Sequence, residues 1–134
     1  MPLTLEIVTP QAVVYRDTID SVVIPTTSGD IGVLPDHVPL LTVVASGELR
    51  VRKGERTTAL VVAGGFAQVS GNQVSILAEN AIDIQSIDEH AAETALQRAQ
   101  DALKGAATEP ADQERLVGIV RFSVAQLGVK RRRR

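Results

Sequence analysis

The first 84 residues alternate between apolar and polar positions in short segments that turn-forming residues separate. In the opening segment Leu3, Leu5 and Ile7 alternate with polar side chains, a period of two that is typical of a strand with one buried face. Further segments rich in Val and Ile follow at 13–16, 19–24, 40–44, 48–52, 59–63, 66–70 and 74–78. Many short strands spaced by Gly, Pro or Asn predict an antiparallel β-sandwich or a small barrel.

Two glycine-containing pairs punctuate these strands. Gly71-Asn72 lies between two apolar segments and predicts a tight hairpin turn. Gly64-Gly65 ends one strand and precedes Phe66, where a bulge or a close contact within the sheet would require glycine.

After residue 85 the apolar period becomes helical. Ser86 to Glu89 has the form of a capping box, so we expect a helix that begins at Ile87 and ends at Gly105. A link from Gly105 to Pro110 precedes a second helix, which we expect to end before Gly128. The expected apolar faces are Ala92, Ala95, Leu96, Ala99, Ala102 and Leu103 in the first helix and Leu116, Ile119, Val120, Val124 and Leu127 in the second. The predicted fold class is α+β, with a β-sandwich over residues 1–85 and an antiparallel two-helix hairpin over 86–134.

The first helix offers mostly alanines for burial, and each buried methyl group contributes only about 0.8 kcal/mol. The hairpin should therefore pack closely but weakly. Two interpretations remain open: a simple cap over one face of the sandwich, and a switch that detaches at a cost of a few kcal/mol.

Composition narrows the class of protein. The chain has 134 residues, 44% of them hydrophobic, but only three aromatic side chains, so the core must be aliphatic. It has no cysteine, which excludes disulfides and thiolate metal sites, and no apolar run long enough to cross a membrane. The N-terminus lacks the features of a signal peptide, and we expect a soluble protein that is not exported.

Candidate chemistry is sparse. His37 and His90 are the only imidazoles, and neither lies in a motif that supplies a nucleophile and an orienting group. Phosphate-binding loops and metal-ligand spacings are missing as well, so we predict neither an enzyme nor a metal site. His37 lies between Pro35 and Pro39 on a rigid loop, where it either bonds a nearby backbone group or contacts another protein.

The C-terminus is basic. Lys130 and Arg131 to Arg134 provide five of the 14 basic side chains, and the rest of the chain is acidic. Such a tail is either a solvated helix end or a site for an acidic protein surface, an anionic lipid or a nucleic acid. The acidic body and the lack of interleaved aromatic residues argue against nucleic acid.

The segment from Ser28 to Leu41 contains Gly-x-x-Gly, two apolar residues and Pro-x-His-x-Pro-Leu. In this pattern it resembles the epsilon subunits of F-type ATP synthases. Similar segments follow in the same order at 47–51, 64–66, 77–79 and 87–89, so the resemblance covers nearly the whole chain. It implies the same architecture, an N-terminal β-sandwich and two C-terminal helices.

The resemblance implies a non-catalytic rotor subunit in the central stalk of a proton-translocating F1Fo ATP synthase, which couples rotation of the c-ring to ATP synthesis. Expected partners are the gamma subunit, the c-ring, and the beta and alpha subunits of the catalytic head. The expected location is peripheral, at the cytoplasmic face of a bacterial plasma membrane. By position in the motif, the contacts to gamma or the c-ring are Asp30, Ile31, His37, Pro39 and Leu40.

In similar subunits the helical hairpin either lies folded against the sandwich or extends along gamma into the catalytic head, where basic side chains meet acidic segments of the beta subunits and impede ATP hydrolysis. The residues that match this role are Arg115, Arg121, Arg131 and Arg132. Some relatives also bind regulatory ATP through Ile/Leu-Asp-x-x-Arg-Ala; here Ile87 and Asp88 remain but Ala91 replaces the arginine, so we expect no cofactor. The alternative to a stalk subunit is a free-standing β-sandwich that binds proteins and carries a helical cap.

Overall fold

A computed structural model describes residues 2–105 and 109–132 of the chain. Within these residues the strands are β1 (Leu3–Val8), β2 (Val13–Ile19), β3 (Ser21–Thr26), β4 (Gly29–Val33), β5 (Leu40–Val43), β6 (Gly47–Lys53), β7 (Arg56–Ser70) and β8 (Gln73–Asp83). A single 3-10 turn (Ile84–Ser86) leads into helices α1 (Glu89–Lys104) and α2 (Pro110–Arg132). The predicted α+β order, strands first and a two-helix hairpin after them, is confirmed.

The strands pair in the order β2-β1-β8-β7-β6-β3-β4, and β5 pairs with β7. Strand β7 is long enough to serve both layers, because its first half pairs with β6 and its second half with β5. Gly64 and Gly65 lie between these halves with φ of +66° and +115°. A Cβ atom at Gly65 would lie 1.8 Å from the carbonyl oxygen of Leu77, so the predicted need for glycine at this bend is confirmed.

Other strand predictions need revision. The segment at 19–24 is divided between β2 and β3, and the segments at 59–63 and 66–70 form one bent strand, β7. No strand is predicted over Gly29–Val33, but these residues form β4, an edge strand paired with β3. All pairs are antiparallel except β1 with β8, which is parallel. Gly71 and Asn72 form the predicted hairpin turn, both with positive φ.

The core of the sandwich consists of aliphatic side chains from both layers. Among its fully enclosed members are Leu3, Leu5, Ile7, Val22, Ile24, Leu49, Leu60 and Ile76. In β7 the apolar run Ala59–Ala63 is buried throughout: Leu60 and Val62 face this core, and Val61 faces the hairpin. Because both faces of this part of β7 are covered, its residues are apolar on both sides and do not alternate with polar residues.

The capping box predicted at Ser86 is wrong. The N-cap of α1 is Asp88, whose carboxylate accepts a hydrogen bond from the backbone N–H of Ala91 at 3.1 Å. Ile87 stays extended because its side chain is buried against Val61 and Val129. At the other end, Gly105 is the C-cap, as predicted.

Helix α2 is longer than expected and continues through Gly128 to Arg132. Glycine weakens a helix by about 1 kcal/mol, but Val129 directly after it is buried at the junction with the sandwich and offsets that cost. Val124, predicted on the buried stripe, is instead exposed, whereas Leu116 and Leu127 are buried. The middle of the predicted 105–110 link and the last two arginines of the tail lie outside the described residues.

Candidate functional site

An exposed row of apolar side chains crosses the outer face of one layer. Val43 on β5 pairs with Phe66 on β7, Phe66 pairs with Leu77 on β8, and Leu77 pairs with Val8 on β1. Val13 on β2 pairs with Val8 next to a β-bulge and completes the row. With a strand spacing of about 4.8 Å, this apolar row is about 19 Å long.

Four members of the apolar row are open to solvent, and the fifth, Val8, is half-buried. Phe66 and Leu77 at its centre are 55% and 59% exposed, and Val43 is 44% exposed. Leu41, two residues before Val43 on β5 and therefore on the same face, is 70% exposed. A shallow groove of about 390 Å³ runs beside Phe66 and Leu77, with Glu79 at its rim. Contiguous exposed apolar surface of this kind is typical of a site for another protein.

The structure does not bring the sequence-predicted contact residues into one cluster. Asp30 is exposed on the edge strand β4, and Ile31 beside it packs against the core. His37 and Pro39 lie in the loop that follows the other end of β4. Leu40 points towards the core and is half-buried, so it is Leu41, its neighbour, that is presented to solvent.

The His37 loop is tightly built. The backbone N–H of His37 donates to the carbonyl oxygen of Leu34 at 3.2 Å, and His37 Nδ1 lies 2.7 Å from the carbonyl oxygen of Val38. This bond is the first of the two roles that the sequence left open for His37. On either side of His37, Leu34 and Val38 are exposed large apolar residues.

The four predicted basic contacts divide into two pairs. Arg115 and Arg121 are exposed on α2. Arg131 instead forms an ion pair with Glu93 of α1 at 2.6 Å, and Arg132 lies 3.9 Å from Glu48 of β6. The last turn of α2 is therefore held to both the first helix and the sandwich by charge.

Ile87 and Asp88, the candidate nucleotide contacts, both have structural roles. Ile87 is buried at the junction of hairpin and sandwich, and the carboxylate of Asp88 caps α1. Ala91 supplies the N–H that this cap satisfies. Of the two side chains, then, neither extends freely towards a ligand.

A wide, shallow groove of about 890 Å³ lies beside β2, lined by Tyr15, Asp17, Lys53, Glu55, Arg56 and Thr58. Lys53 Nζ donates to Asp17 Oδ2 at 2.7 Å, which lowers the pKa of the Asp17 carboxyl. Burial, with the charge of Asp17 as a second cause, raises the pKa of the Tyr15 phenol. Lys53 and Asp17 thus pair with each other, and the described residues contain no cluster of three or more His or acidic side chains that could hold a metal ion.

Sequence reasoning missed the apolar row. The sequence pattern predicts that Val43, Phe66 and Leu77 each lie in a strand, but it does not show on which face. The sequence does contain a signal. Leu40 and Leu41 are both apolar although neighbouring residues of a strand face opposite ways, and the three consecutive residues Ile76-Leu77-Ala78 are all apolar. Apolar residues at both parities of a short strand indicate that something covers both faces.

The chain is similar in sequence to known proteins, both over its strands and over most of its length. A sequence model of the family "ATP synthase, Delta/Epsilon chain, beta-sandwich domain" matches residues 2–84. The ATP synthase epsilon chain of Prochloron didemni is 42% identical over 103 residues, which cover 77% of this chain and 76% of that protein.

Two solved structures share the fold. A chain of the Euglena gracilis mitochondrial ATP synthase, in a structure with F1 and the c-ring, superposes with a TM-score of 0.75 at 21% identity, covering 96% of this chain and 81% of the other. A chain of the Tetrahymena thermophila mitochondrial ATP synthase central stalk and c-ring gives 0.62 at 14% identity, covering 97% of each. The superposed part includes both the strands and the helices of the present chain.

Proposed function

The chain belongs to the delta and epsilon chain family of ATP synthase, and we propose that it is a non-catalytic subunit of the central stalk. In this role it transmits rotation of the c-ring to the catalytic head through the gamma subunit and so couples proton flow to ATP synthesis. Such a subunit contributes binding surfaces, and its side chains need carry out no chemistry.

The apolar row is the observation that carries this proposal. Strand β7 is apolar on its outer face at two places, Val61 and Phe66, on either side of the glycine bend. The hairpin covers Val61, but Phe66 remains open. A side chain of this size at the centre of an exposed row is best explained by a partner that covers it in the assembly, and we assign that partner to gamma.

The gamma contact would extend along β5. This strand leads from the His37 loop to the apolar row and exposes Leu41 and Val43 on the way. We therefore place His37 and Pro39 at the edge of the same interface. We assign Asp30, which is exposed on the edge strand β4, to a contact with the polar loops of the c-ring. Ile31 next to it packs against the core and supports this strand.

Replacement of Phe66 by glutamine tests the docking proposal. The substitution keeps much of the length but removes the aromatic anchor, so affinity for an epsilon-depleted head that contains gamma should fall at least about tenfold. Val124→Gln is the matched control, because Val124 is exposed to the same extent but lies on α2. Undiminished binding by Phe66→Gln, measured by titration with labelled chain, would overturn the assignment, and a wild-type chain without affinity would favour a free-standing module.

We further propose that the hairpin inhibits ATP hydrolysis when it leaves the sandwich. Arg115 and Arg121 are already exposed, and they would reach acidic segments of the beta and alpha subunits first. Arg131 and Arg132 would add to this contact only after separation from Glu93 and Glu48. The double variant Arg115→Gln/Arg121→Gln should still bind the head but inhibit it less than the wild type, whereas Arg56→Gln on the sandwich should inhibit normally.

In the complex the chain would be held at the membrane by its partners, at the cytoplasmic face in a bacterium. Neither helix in the described part of the chain is long and apolar enough to cross a membrane. We propose no nucleotide site, because Ile87 is buried and Asp88 caps a helix.

A further inference from the structure

Two residues of this chain other than glycine have positive φ within the described ranges, and they contact each other. Asp36 has φ of 64° and Asn72 has φ of 61°. They lie 36 positions apart, Asp36 in the loop between β4 and β5 and Asn72 in the turn between β7 and β8. Asp and Asn accept this left-handed conformation more readily than other side chains, though at some cost.

The contact is reciprocal. The backbone N–H of Asp36 donates to Asn72 Oδ1 at 2.5 Å, and Asn72 Nδ2 donates to Asp36 Oδ1 at 3.1 Å. Asn72 is itself fixed, because its carbonyl oxygen accepts from the backbone N–H of Thr4 at 2.9 Å. The loop is thus attached to a turn that the strand β1 holds in place.

The attached loop is the one that presents exposed side chains. Leu34, 64% exposed, and Val38, 71% exposed, stand on either side of Asp36 and His37. A loop with two large apolar side chains in water gains little from its own packing, so hydrogen bonds to a neighbouring element decide how well it is ordered.

We propose that Asp36 and Asn72 form a clamp that sets the loop 34–39 in the conformation that meets gamma. The clamp residues are positioning residues: they act by ordering Leu34, His37 and Val38 before the partner arrives. Ordering a loop in advance removes part of the entropic cost of association. This inference rests on the proposed gamma docking. It assigns a role in that interface to Asn72, which lies in the turn between β7 and β8.

Glycine substitutions test the clamp without straining the backbone, since glycine adopts positive φ freely. Asn72→Gly and Asp36→Gly should each weaken binding to the gamma-containing head by about three- to tenfold. The double variant should be no weaker than the worse single one, because both remove the same pair. Asp36→Asn keeps the backbone N–H and a side-chain acceptor, and should retain most of the affinity.

A readout on the free chain separates the clamp from gamma docking. In Asn72→Gly the backbone amide of Asp36 loses its acceptor, and its hydrogen exchange should accelerate at least about tenfold. Gly54→Ala, which strains a turn elsewhere in the sandwich at φ +61°, controls for a general loss of stability and should leave both the exchange and the affinity unchanged.

Three results would overturn the clamp. Faster exchange with full affinity would show that the pair only stabilises the fold. Loss of affinity in Asp36→Gly alone would make Asp36 a direct contact with the partner. A wild-type chain that fails to bind the head would contradict both the clamp and the proposed docking. If Phe66→Gln weakens binding but the clamp variants do not, only the clamp is wrong.

Discussion

The sandwich and the hairpin of this chain bury apolar surface in different ways. The sandwich encloses leucine, isoleucine and valine side chains from both layers with no exposure to solvent. Helix α1, by contrast, contributes only Ala92 and Ala99 as fully buried residues. A buried leucine is worth about 1.5–3 kcal/mol and a methyl group about 0.8, so each buried residue of α1 stabilises the fold about two- to fourfold less than a buried leucine of the sandwich.

The junction between the regions is narrow. Val61 of the sandwich meets Ile87 and Val129, with Phe122 partly buried against them. Ion pairs at the last turn of α2 add a contribution that salt screens. A narrow junction should let the hairpin open at a lower cost than unfolding of the sandwich, as the proposed regulatory role requires.

The largest expected effect comes from one methyl group at the bend of the sandwich. In Gly65→Ala the new Cβ would lie 1.8 Å from the Leu77 carbonyl oxygen, at a φ of +115°. Overpacking costs about 1–3 kcal/mol and left-handed strain about 1–2 more, so the free energy of unfolding should fall by about 3 kcal/mol or more. Urea unfolding measures it. Gly54→Ala meets no atom within 4 Å and should cost only about 1 kcal/mol; equal losses would contradict this account.

Phe122→Ala should open the hairpin while the sandwich remains intact. Phe122 is half-buried at the junction, so its removal should cost about 2 kcal/mol, less than for a fully enclosed ring. Hydrogen exchange should show faster exchange throughout α1 and α2 with unchanged protection in β1 and β8. Val124→Ala, on the exposed face of the same helix, should stay within about 0.5 kcal/mol of wild type. Loss of protection in the strands as well would mean that both regions unfold together.

The difference between the two regions also decides what the sequence could predict. Period-two alternation in β1 and the Gly71-Asn72 turn depend on local chemistry, and the structure confirms both. The start of α1 was predicted two residues early because burial of Ile87 against Val61 and Val129 overrides the local capping signal. Gly128 failed as a helix stop for the same reason, since it precedes the buried Val129.

The proposed interaction surface is predictable from the sequence only in part. Asp30 and His37 could be chosen from a motif, but which face a strand residue occupies depends on register. A single position decides whether Leu40 or Leu41 is exposed. The clamp between Asp36 and Asn72 joins two turns that are 36 residues apart, and local sequence carries no sign of such a pairing.

A smaller effect is expected at the open end of the hairpin, where the last turn of α2 lies beside the first turns of α1. Arg131 and Glu93 are both about half exposed, and a pair of this kind contributes about 0.2–1 kcal/mol. Arg131→Gln should therefore increase hydrogen exchange in α1 by about two- to fivefold in low salt. At 1 M salt, where screening acts within about 3 Å, the variant and the wild type should exchange alike. A difference that persisted at high salt would point to packing by the arginine side chain instead.

The smallest expected effect belongs to a surface pair within the sandwich, Asp17 and Lys53. The hydrogen bond from Lys53, and a second from the backbone N–H of Thr18, lower the pKa of the Asp17 carboxyl below its ordinary value of 3.8. Because the folded state favours the charged carboxylate, this contribution is present above pH 3.8 and is lost as the pH falls through the lowered pKa. The sandwich as a whole should therefore lose a little stability in that acidic window.

Lys53→Gln should raise the pKa of Asp17 towards its ordinary value, since Lys53 is the largest cause of the shift. An NMR titration of the Asp17 carboxyl carbon measures this, with Lys104→Gln on α1 as the control that leaves it unmoved. Since β2 and β6 both belong to the cooperative sandwich, the lost stability should appear in global unfolding rather than in local opening. The pair of Arg131 and Glu93 should behave in the opposite way, so a local signal at Asp17 would show that the edge strand β2 opens independently.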